Sequence, residues 1–124
     1  MGRRGEDLAH RYLQRTGMLV VARNWRARPG GFELDIVAWQ GETLVFVEVK
    51  SRASEEFGAP DRAVGPEKHQ RMLRAAREYA RRADIEWRLA RFDIVNVVFR
   101  NPPAITHLED VLRGNPSTAE QPSE

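Results

Sequence analysis

Residues 43–50 read Thr43-Leu44-Val45-Phe46-Val47-Glu48-Val49-Lys50, and this run of β-branched and aromatic residues predicts a strand. A second apolar run at residues 32–39 precedes it, and the polar residues between the two runs predict a hairpin turn. Both runs are apolar on both faces over much of their length, whereas a sheet with one wet face would alternate. They therefore predict the centre of a sheet that is covered on two sides.

The segments before the hairpin follow from helical spacing and turn residues. Residues 5–16 carry Leu, Ala, Tyr and Leu at the spacing of one buried helical stripe, and Gly17 is a good stop for this helix. Residues 18–24 then predict a first strand with an apolar start. The Pro-Gly-Gly sequence within residues 27–31 predicts a loop between this strand and the hairpin.

The segments after the hairpin predict one helix and one or two strands. Pro66 suits the first turn of a helix, which we expect to run to about residue 83. Residues 89–100 predict a further strand, and residues 104–107 could add a short edge strand. The resulting prediction is an α/β fold in the order helix-strand-strand-strand-helix-strand.

The composition is that of one folded domain. The chain has 124 residues, of which 41% are hydrophobic and 31% charged. We expect a single domain at residues 2–113 and a disordered tail at residues 114–124, where Pro, Ser, Thr and Glu dominate. The net charge of +2 becomes +4 without the two glutamates of this tail, a balance that permits nucleic-acid binding without demanding it.

Cysteine and membrane signals are missing from the sequence. Because there is no cysteine, disulfides and thiolate metal sites are excluded, and this fits a reducing cytoplasm. No signal peptide follows the charged N-terminus, and the apolar run at residues 44–47 is far too short to cross a bilayer. We therefore expect a cytoplasmic protein with no membrane partner.

Two carboxylates and a lysine lie on the hairpin strands. Because side chains alternate between faces along a strand, residues of one parity share a face. A two-residue turn would place Asp35 diagonal to Glu48, and a four-residue turn would place the two directly opposite each other. Both registers put Asp35, Glu48 and Lys50 on one face, whereas a three-residue loop with a bulge could break this arrangement.

The apolar setting of Glu48 indicates a bound cation. An unpaired ionised carboxylate in a buried strand is strongly destabilising, and two carboxylates on one face repel each other. Mg²⁺ fits because it takes oxygen ligands and needs only one or two carboxylates, and the main-chain carbonyl of Val49 could be a further ligand. The alternative is a structural ion pair of Glu48 or Asp35 with Lys50 or a nearby arginine.

A set of short motifs runs in order along residues 2–113. They are Gly5-Glu6 with Ala9, Arg23-Asn24-Trp25-Arg26, Glu33-Leu34-Asp35-Ile36-Val37, Phe46-Val47-Glu48-Val49-Lys50-Ser51-Arg52, Phe57-Gly58, Lys68 and Arg91-Phe92-Asp93-Ile94-Val95. This set resembles the YraN family of bacterial proteins, within the nuclease superfamily whose signature is Asp, a gap, then Asp or Glu, any residue and Lys. One departure is Phe32, which separates Gly31 from Glu33 where that family usually has Gly next to Glu.

The resemblance implies a restriction-endonuclease-like core, a central mixed sheet flanked by helices, and a metal-dependent nuclease acting on DNA or structured nucleic acid. By the resemblance, Asp35 and Glu48 would bind Mg²⁺ or Mn²⁺. Lys50 would orient or activate the attacking water, or stabilise the developing phosphorane charge. Glu6 would be the acid that related Holliday-junction resolvases supply from the first helix. A favourable charge on the first helical turn is an equal alternative for Glu6.

Three basic residues are candidate nucleic-acid contacts, namely Lys68, Arg26 and Arg52. For Lys68 a solvated surface lysine is the alternative. The arginines on the outer face of the second helix are most simply a solvated face. Asp93, within an apolar strand, is interpreted as structural and paired with Arg91 or another base.

Three functions remain open from the sequence. The leading one is the metal-dependent nuclease, which could cut as a homodimer with one site per strand. The second is a non-catalytic nucleic-acid-binding or adaptor protein that keeps the nuclease fold. The third is an enzyme of another class on the same metal scaffold. Sequence does not separate them, since the same residues would fold either way.

Overall fold

The computed structural model describes residues 2–53 and 65–112. Its elements are α1 (Gly2–Arg15), β1 (Leu19–Arg26), β2 (Glu33–Gln40), β3 (Thr43–Arg52), α2 (Pro66–Arg82), a short 3₁₀ helix (Trp87–Leu89), β4 (Ala90–Val98) and β5 (Ala104–Leu108). This order confirms the predicted α/β fold class and includes the short edge strand. The predicted tail and the Phe57-Gly58 motif lie outside the described residues.

The sheet is mixed, with five strands in the order β1-β2-β3-β4-β5. Neighbouring strands are antiparallel except β3 and β4, which run parallel. A parallel pair requires a crossover connection, and α2 lies in the chain between β3 and β4. The sheet centre is therefore β3, the strand that carries Glu48 and Lys50.

Each face of the sheet is covered by one helix, as the two-sided apolar runs predict. On one face Ala9 and Leu13 of α1 pack into a core with Val45 and Val47 of β3. On the other face Met72 of α2 packs into a second core, which includes Phe46 and Phe92. Glu48 has the parity of Phe46, so its side chain belongs to the α2 face.

The hairpin between β2 and β3 is tight. Gln40 pairs with Thr43, and Gly41 takes a left-handed conformation with φ +60° that favours glycine. The last pair of this ladder is Ile36 with Val47. The ladder stops there, and Asp35 and Glu48 are the next residues on the two strands. Of the two registers considered from sequence, the structure has the one expected for the four-residue turn.

A buried hydrogen-bond network around Asp93 joins three elements on the α1 side. Asp93 is fully buried and accepts hydrogen bonds from both Nε and Nη2 of Arg91, at 3.0 and 2.9 Å, and from the Asp110 N–H at 2.9 Å. His107 Nε2 lies 2.7 Å from its Oδ2, and the Tyr12 hydroxyl lies 3.1 Å from His107 Nδ1. The network therefore connects β4 to β5 and to α1, and the pairing with Arg91 agrees with the sequence-based interpretation.

The charge of Asp93 is stabilised by these partners. Burial alone would raise the pKa of Asp93, but the hydrogen bonds from His107 and Arg91 outweigh it and lower this pKa below the ordinary value. The ionised carboxylate is thus the folded-state form at neutral pH. None of the helices in the described ranges is long and apolar enough to span a membrane.

Replacing Asp93 with Asn should destabilise the fold strongly. Asp93→Asn leaves the charge of half-buried Arg91 without its buried partner, and breaking one side of a buried pair costs about 3–5 kcal/mol. Urea unfolding followed by circular dichroism measures the loss. Glu109→Gln is the matched control, because Glu109 is 56% exposed and 4.0 Å from Arg91, and it should cost less than about 1 kcal/mol. Equal unfolding midpoints for Asp93→Asn and wild type would contradict the structural role of the network.

Candidate functional site

A cleft of about 230 Å³ opens between α2 and the adjacent ends of β2 and β3. Its lining residues are Phe32, Glu33, Leu34, Asp35, Phe46, Val47, Glu48, Lys68 and Met72. We call it the acidic cleft because three of its members are carboxylates. It brings together Asp35 and Glu48, as expected from strand parity. Lys50, which shares the parity of Glu48 on β3, is not among the described residues that line it.

Glu48 is buried in this cleft with only half of its carboxylate satisfied. The side chain is 9% exposed, and its Oε2 accepts a hydrogen bond from the ammonium of Lys68. Its other oxygen, Oε1, is buried and has no hydrogen-bond partner within the described part of the chain. A buried charged oxygen without a partner is strongly destabilising. Glu48 therefore retains an unused coordination position for a cation or a donor.

Asp35 lies where the β2–β3 ladder ends. Its Oδ2 accepts a hydrogen bond from the Val49 N–H at 2.9 Å, in place of a main-chain acceptor on β2. The N–H and C=O of one strand residue point to the same side of the strand. The Val49 carbonyl is therefore directed to the same side of β3 as Asp35, which supports the expectation that it could join a metal site there.

The pKa of Asp35 is raised to about 6. Burial is the largest cause, and the negative charges of Glu6, Glu48 and Glu33 raise the pKa further, against the Val49 N–H, which lowers it. Four carboxylates therefore share one electrostatic neighbourhood. Repulsion of this kind is relieved by a cation, and strongly perturbed carboxyl groups in clefts are frequent at functional sites.

Glu6 reaches the same neighbourhood from α1, but its carboxylate is held by β1. Its Oε1 accepts hydrogen bonds from Asn24 Nδ2 at 2.9 Å and from Arg23 Nη2 at 3.5 Å, and the side chain is 14% exposed. In residues 2–53 and 65–112, no group of three or more His, Asp or Glu side chains is arranged to hold a metal ion. Of the predicted site carboxylates, Asp35 and Glu48 line the cleft, whereas Glu6 contacts β1.

The anchoring of Glu6 depends on a backbone feature that the sequence did not predict. Asn24 has φ +51°, a left-handed conformation that Asn tolerates better than most residues. Neighbouring strand residues normally point to opposite faces, yet Arg23 and Asn24 both contact Glu6, and Trp25 packs against Tyr79 of α2. The strand expected to end at residue 24 therefore continues to Arg26, with its alternation broken at Asn24.

Lys68 is closer to the site than the sequence indicates. Sequence offers it as a phosphate contact or a solvated residue, whereas its ammonium pairs with Glu48. The alternative of a structural ion pair at Glu48 is thus present, with a lysine from α2 as the partner. The available signal is helical spacing, since Lys68 lies four residues before buried Met72 and hence on the inward side of α2.

Arg26 and Arg52, the other two candidate contacts, lie at strand ends. Arg26 donates to the Gly31 carbonyl at 2.9 Å and is 3.8 Å from Glu33, so it stands at the rim of the acidic cleft. Arg52 is the last residue of β3, and its carbonyl accepts the Phe99 N–H at 2.9 Å.

Comparison with known proteins assigns the family. Residues 5–97, which include all three cleft carboxylates, match the model of "Uncharacterised protein family UPF0102". The chain belongs to the UPF0102 family. It is 54% identical over 107 residues to a UPF0102 protein of Solibacter usitatus, covering 86% of this chain and 81% of that protein. UPF0102 proteins of Pseudarthrobacter chlorophenolicus and Rhodococcus opacus are 43% and 42% identical, over 90% of this chain and 84% and 95% of theirs. The resemblance to the YraN family is thereby confirmed.

The raised pKa of Asp35 predicts that this UPF0102 protein is stabilised when the charge is removed. A carboxyl group with a pKa of about 6 in the folded state binds protons more tightly folded than unfolded, so stability falls as pH rises from about 4 to about 6. Asp35→Asn should therefore raise the melting temperature at pH 7 by several degrees.

Thermal melts at pH 4 and pH 7 without divalent ions measure this effect. At pH 4 the wild-type carboxyl group is itself largely protonated, so the gain from Asp35→Asn should nearly vanish. A variant that is less stable than wild type at pH 7 would show that the Val49 hydrogen bond outweighs the repulsion among the carboxylates.

Proposed function

We propose that this UPF0102 protein is a metal-dependent nuclease that hydrolyses phosphodiester bonds in DNA or structured nucleic acid at the acidic cleft. The single observation that carries the proposal is the buried, unpartnered Oε1 of Glu48 in a cleft that it shares with Asp35. A binding cation would satisfy this oxygen and relieve the repulsion among the carboxylates, which adds to the larger effect of burial in raising the pKa of Asp35.

The donor set suits a hard divalent ion. Asp35, Glu48 and the Val49 carbonyl offer only oxygen, which is the ligand type of Mg²⁺ and Mn²⁺, and Mg²⁺ sites commonly need no more than one or two carboxylates with water. When bound, such an ion would supply Lewis-acid stabilisation of the scissile phosphate and a more acidic water. The remaining tasks fall to the side chains around the cleft.

The lysines would handle the charge of the phosphate. Lys68 already brings an ammonium into the cleft, where phosphate oxygens could compete with Glu48 for it. Lys50 lies two residues beyond Glu48 on β3 and therefore on the same side of the strand. It would orient or activate the attacking water, or stabilise the phosphorane charge. Glu6, held by Asn24 and Arg23, would act on Asp35 through its charge.

One observation favours a second candidate, a nucleic-acid-binding or adaptor protein without turnover. The Lys68 ammonium satisfies one oxygen of Glu48 without any metal, as a purely structural ion pair would. Such a protein would bind nucleic acid in a salt-sensitive way and release no cleaved product. Turnover separates the two candidates, because their folded structures would be the same.

Cleavage assays with isosteric variants test the nuclease proposal. Linear, nicked, flapped, four-way and single-stranded DNA, together with RNA, are incubated with the protein in Mg²⁺ or Mn²⁺. Asp35→Asn and Glu48→Gln should each lower the cleavage rate by at least about 100-fold, because each removes a metal ligand and even outer partners of metal ligands contribute about 10–100-fold. Glu86→Gln, at an exposed acid paired with Arg88, is the matched control and should leave the rate unchanged.

Calorimetric titration with Mn²⁺ is the second readout of the same variants. Wild type should bind Mn²⁺, and the Asp35→Asn/Glu48→Gln double variant should not. Equal cleavage by wild type and Glu48→Gln would sink the nuclease proposal. Equal Mn²⁺ binding by wild type and the double variant would show that Asp35 and Glu48 do not form the metal site.

A further inference from the structure

A second, larger cleft lies beside the acidic cleft. Its volume is about 530 Å³, and its lining residues are Ala27, Arg28, Gly30, Gly31, Phe32, Arg71, Arg74, Ala75, Glu78 and Arg82. We call it the arginine cleft. It lies between α2 and the loop that joins β1 to β2, and Phe32 lines both clefts, so the two adjoin. Four arginines against one glutamate give the lining a formal charge of +3.

The negative charge of the glutamate in this cleft is balanced by two neighbouring arginines. Glu78 pairs with Arg81 and, at 2.7 Å, with Arg82. Hydrogen bonds from Arg81 and Arg82 lower the pKa of Glu78 to about 2, so it carries its full charge and holds both arginines. No carboxylate of the described ranges pairs with Arg28, Arg71 or Arg74. These three guanidinium groups are exposed and available to an anion.

The loop that carries Arg28 is shaped by a tight turn. The Gly31 N–H donates to the Arg28 carbonyl at 2.9 Å, with Pro29 and then Gly30 between them, and Gly30 has φ +80°. This is the pattern of a type II turn, in which Pro fixes the second position and Gly supplies the positive φ of the third. The Arg28 backbone is therefore held in one geometry at the mouth of the cleft.

Arg82 fastens this loop to the helix. It donates to the Ala27 carbonyl at 3.0 Å, pairs with Glu78 and lies over the Trp25 ring at 5.6 Å. These contacts engage the Arg82 side chain at one end of the cleft. The arginines that remain to bind a ligand are Arg28 on the loop and Arg71 and Arg74 on α2. The cleft thus has a fixed frame and three guanidinium groups that pair with no carboxylate in the described part of the chain.

The length and chemistry of the arginine cleft suit a chain of phosphates. Guanidinium groups bind phosphate through two parallel hydrogen bonds, more specifically than a lysine does. From Arg71 to Arg74 the helix rises about 4.5 Å, at 1.5 Å per residue. Phosphates of one strand are spaced about 3.4 Å along a duplex axis, so the two arginines on α2 can each meet one of two neighbouring phosphates. Lys68 lies one turn before Arg71 and continues the same helix into the acidic cleft.

We propose that Arg28, Arg71 and Arg74 bind the sugar–phosphate backbone of the nucleic acid, on one side of the phosphate that enters the acidic cleft. The inference rests on the proposed function for the identity of the ligand, but binding by these arginines requires neither metal nor turnover. Backbone contacts of this kind supply affinity and no sequence reading. The outer face of α2 is therefore divided, since Arg77 stacks on Trp87 whereas Arg71 and Arg74 line the cleft.

Binding measurements without divalent ions test this inference. Fluorescence anisotropy with a labelled 20-nucleotide single strand, the matching duplex and an RNA of the same sequence is recorded in EDTA at several KCl concentrations. Arg71→Gln/Arg74→Gln should weaken binding at low salt by at least about 10-fold. The double variant should also reduce the slope of log K against log[KCl] by about 1.4–1.8, since each lost phosphate contact removes about 0.7–0.9. Arg28→Gln should reduce this slope by about half as much.

The matched control removes the same charge from the opposite face of the sheet. Arg11 and Arg15 are exposed on α1, and Arg11→Gln/Arg15→Gln should change the slope by no more than a few tenths. Equal losses in the two double variants would show a general charge effect and overturn the arginine cleft, as would a wild-type protein that binds none of the three probes. Comparison of the DNA and RNA arms identifies which backbone is preferred.

A separate measurement distinguishes failure of this inference from failure of the nuclease. Mn²⁺ calorimetry on Arg71→Gln/Arg74→Gln should match wild type, because the metal ligands are untouched. Selective loss of nucleic-acid binding in this variant, with no cleavage by wild type in Mg²⁺ or Mn²⁺, would refute the nuclease and support the arginine cleft. If Arg71→Gln/Arg74→Gln instead cleaves and binds nucleic acid as wild type does, the nuclease is supported and the arginine cleft is refuted.

Discussion

The hydrogen bond from the Val49 N–H to the Asp35 carboxylate is the contact on which the site depends. The β2–β3 ladder stops at the pair Ile36 and Val47. Beyond it, the Asp35 side chain, and not the β2 main chain, accepts the hydrogen bond from the Val49 N–H of β3. This arrangement holds a carboxylate at the end of the ladder, in the cleft that Asp35 shares with Glu48. The acidic cleft is therefore built into the hairpin itself, with α2 supplying its outer wall.

Around the hairpin, carboxylates cluster in one cleft and arginines in the next, and this clustering of like charges lowers the stability of the fold. Burial, together with the charges of Glu6, Glu48 and Glu33, raises the pKa of Asp35, while the neighbouring cleft is lined by arginines of which Arg28, Arg71 and Arg74 pair with no described carboxylate. Charges of one sign that lie close together oppose folding. The two helix-covered cores and the Asp93 network on the α1 side offset this cost.

Much of the fold follows from the sequence because its signals are local. Apolar runs on both faces predict a covered sheet, and Gly41 marks the hairpin turn, so the shared cleft of Asp35 and Glu48 follows from parity alone. The sequence is compatible with two turn lengths, since Gln40 can belong to either the turn or the strand. In the structure it pairs with Thr43.

The remaining site features could not be read from sequence because they depend on contacts between distant segments. Lys68 reaches Glu48 only because α2 packs over the face of the sheet that carries Glu48. The left-handed conformation of Asn24 turns its side chain toward Glu6, and no pattern in β1 indicates it. The arginine cleft needs the Arg28 turn to stand beside α2, so its arginines appear in the sequence only as a solvated face. Membership of the UPF0102 family identifies related proteins but assigns no chemistry, so the function has to be argued from these contacts.

Anomalous diffraction from crystals soaked in Mn²⁺ tests the central claim most directly, namely that Asp35 and Glu48 share a divalent ion. The expected result is one anomalous peak within about 2–2.5 Å of a carboxylate oxygen from each residue, with Glu48 Oε1 among the ligands. The contradicting result, at saturating Mn²⁺, is no peak in the acidic cleft, with Glu48 bound to Lys68 alone.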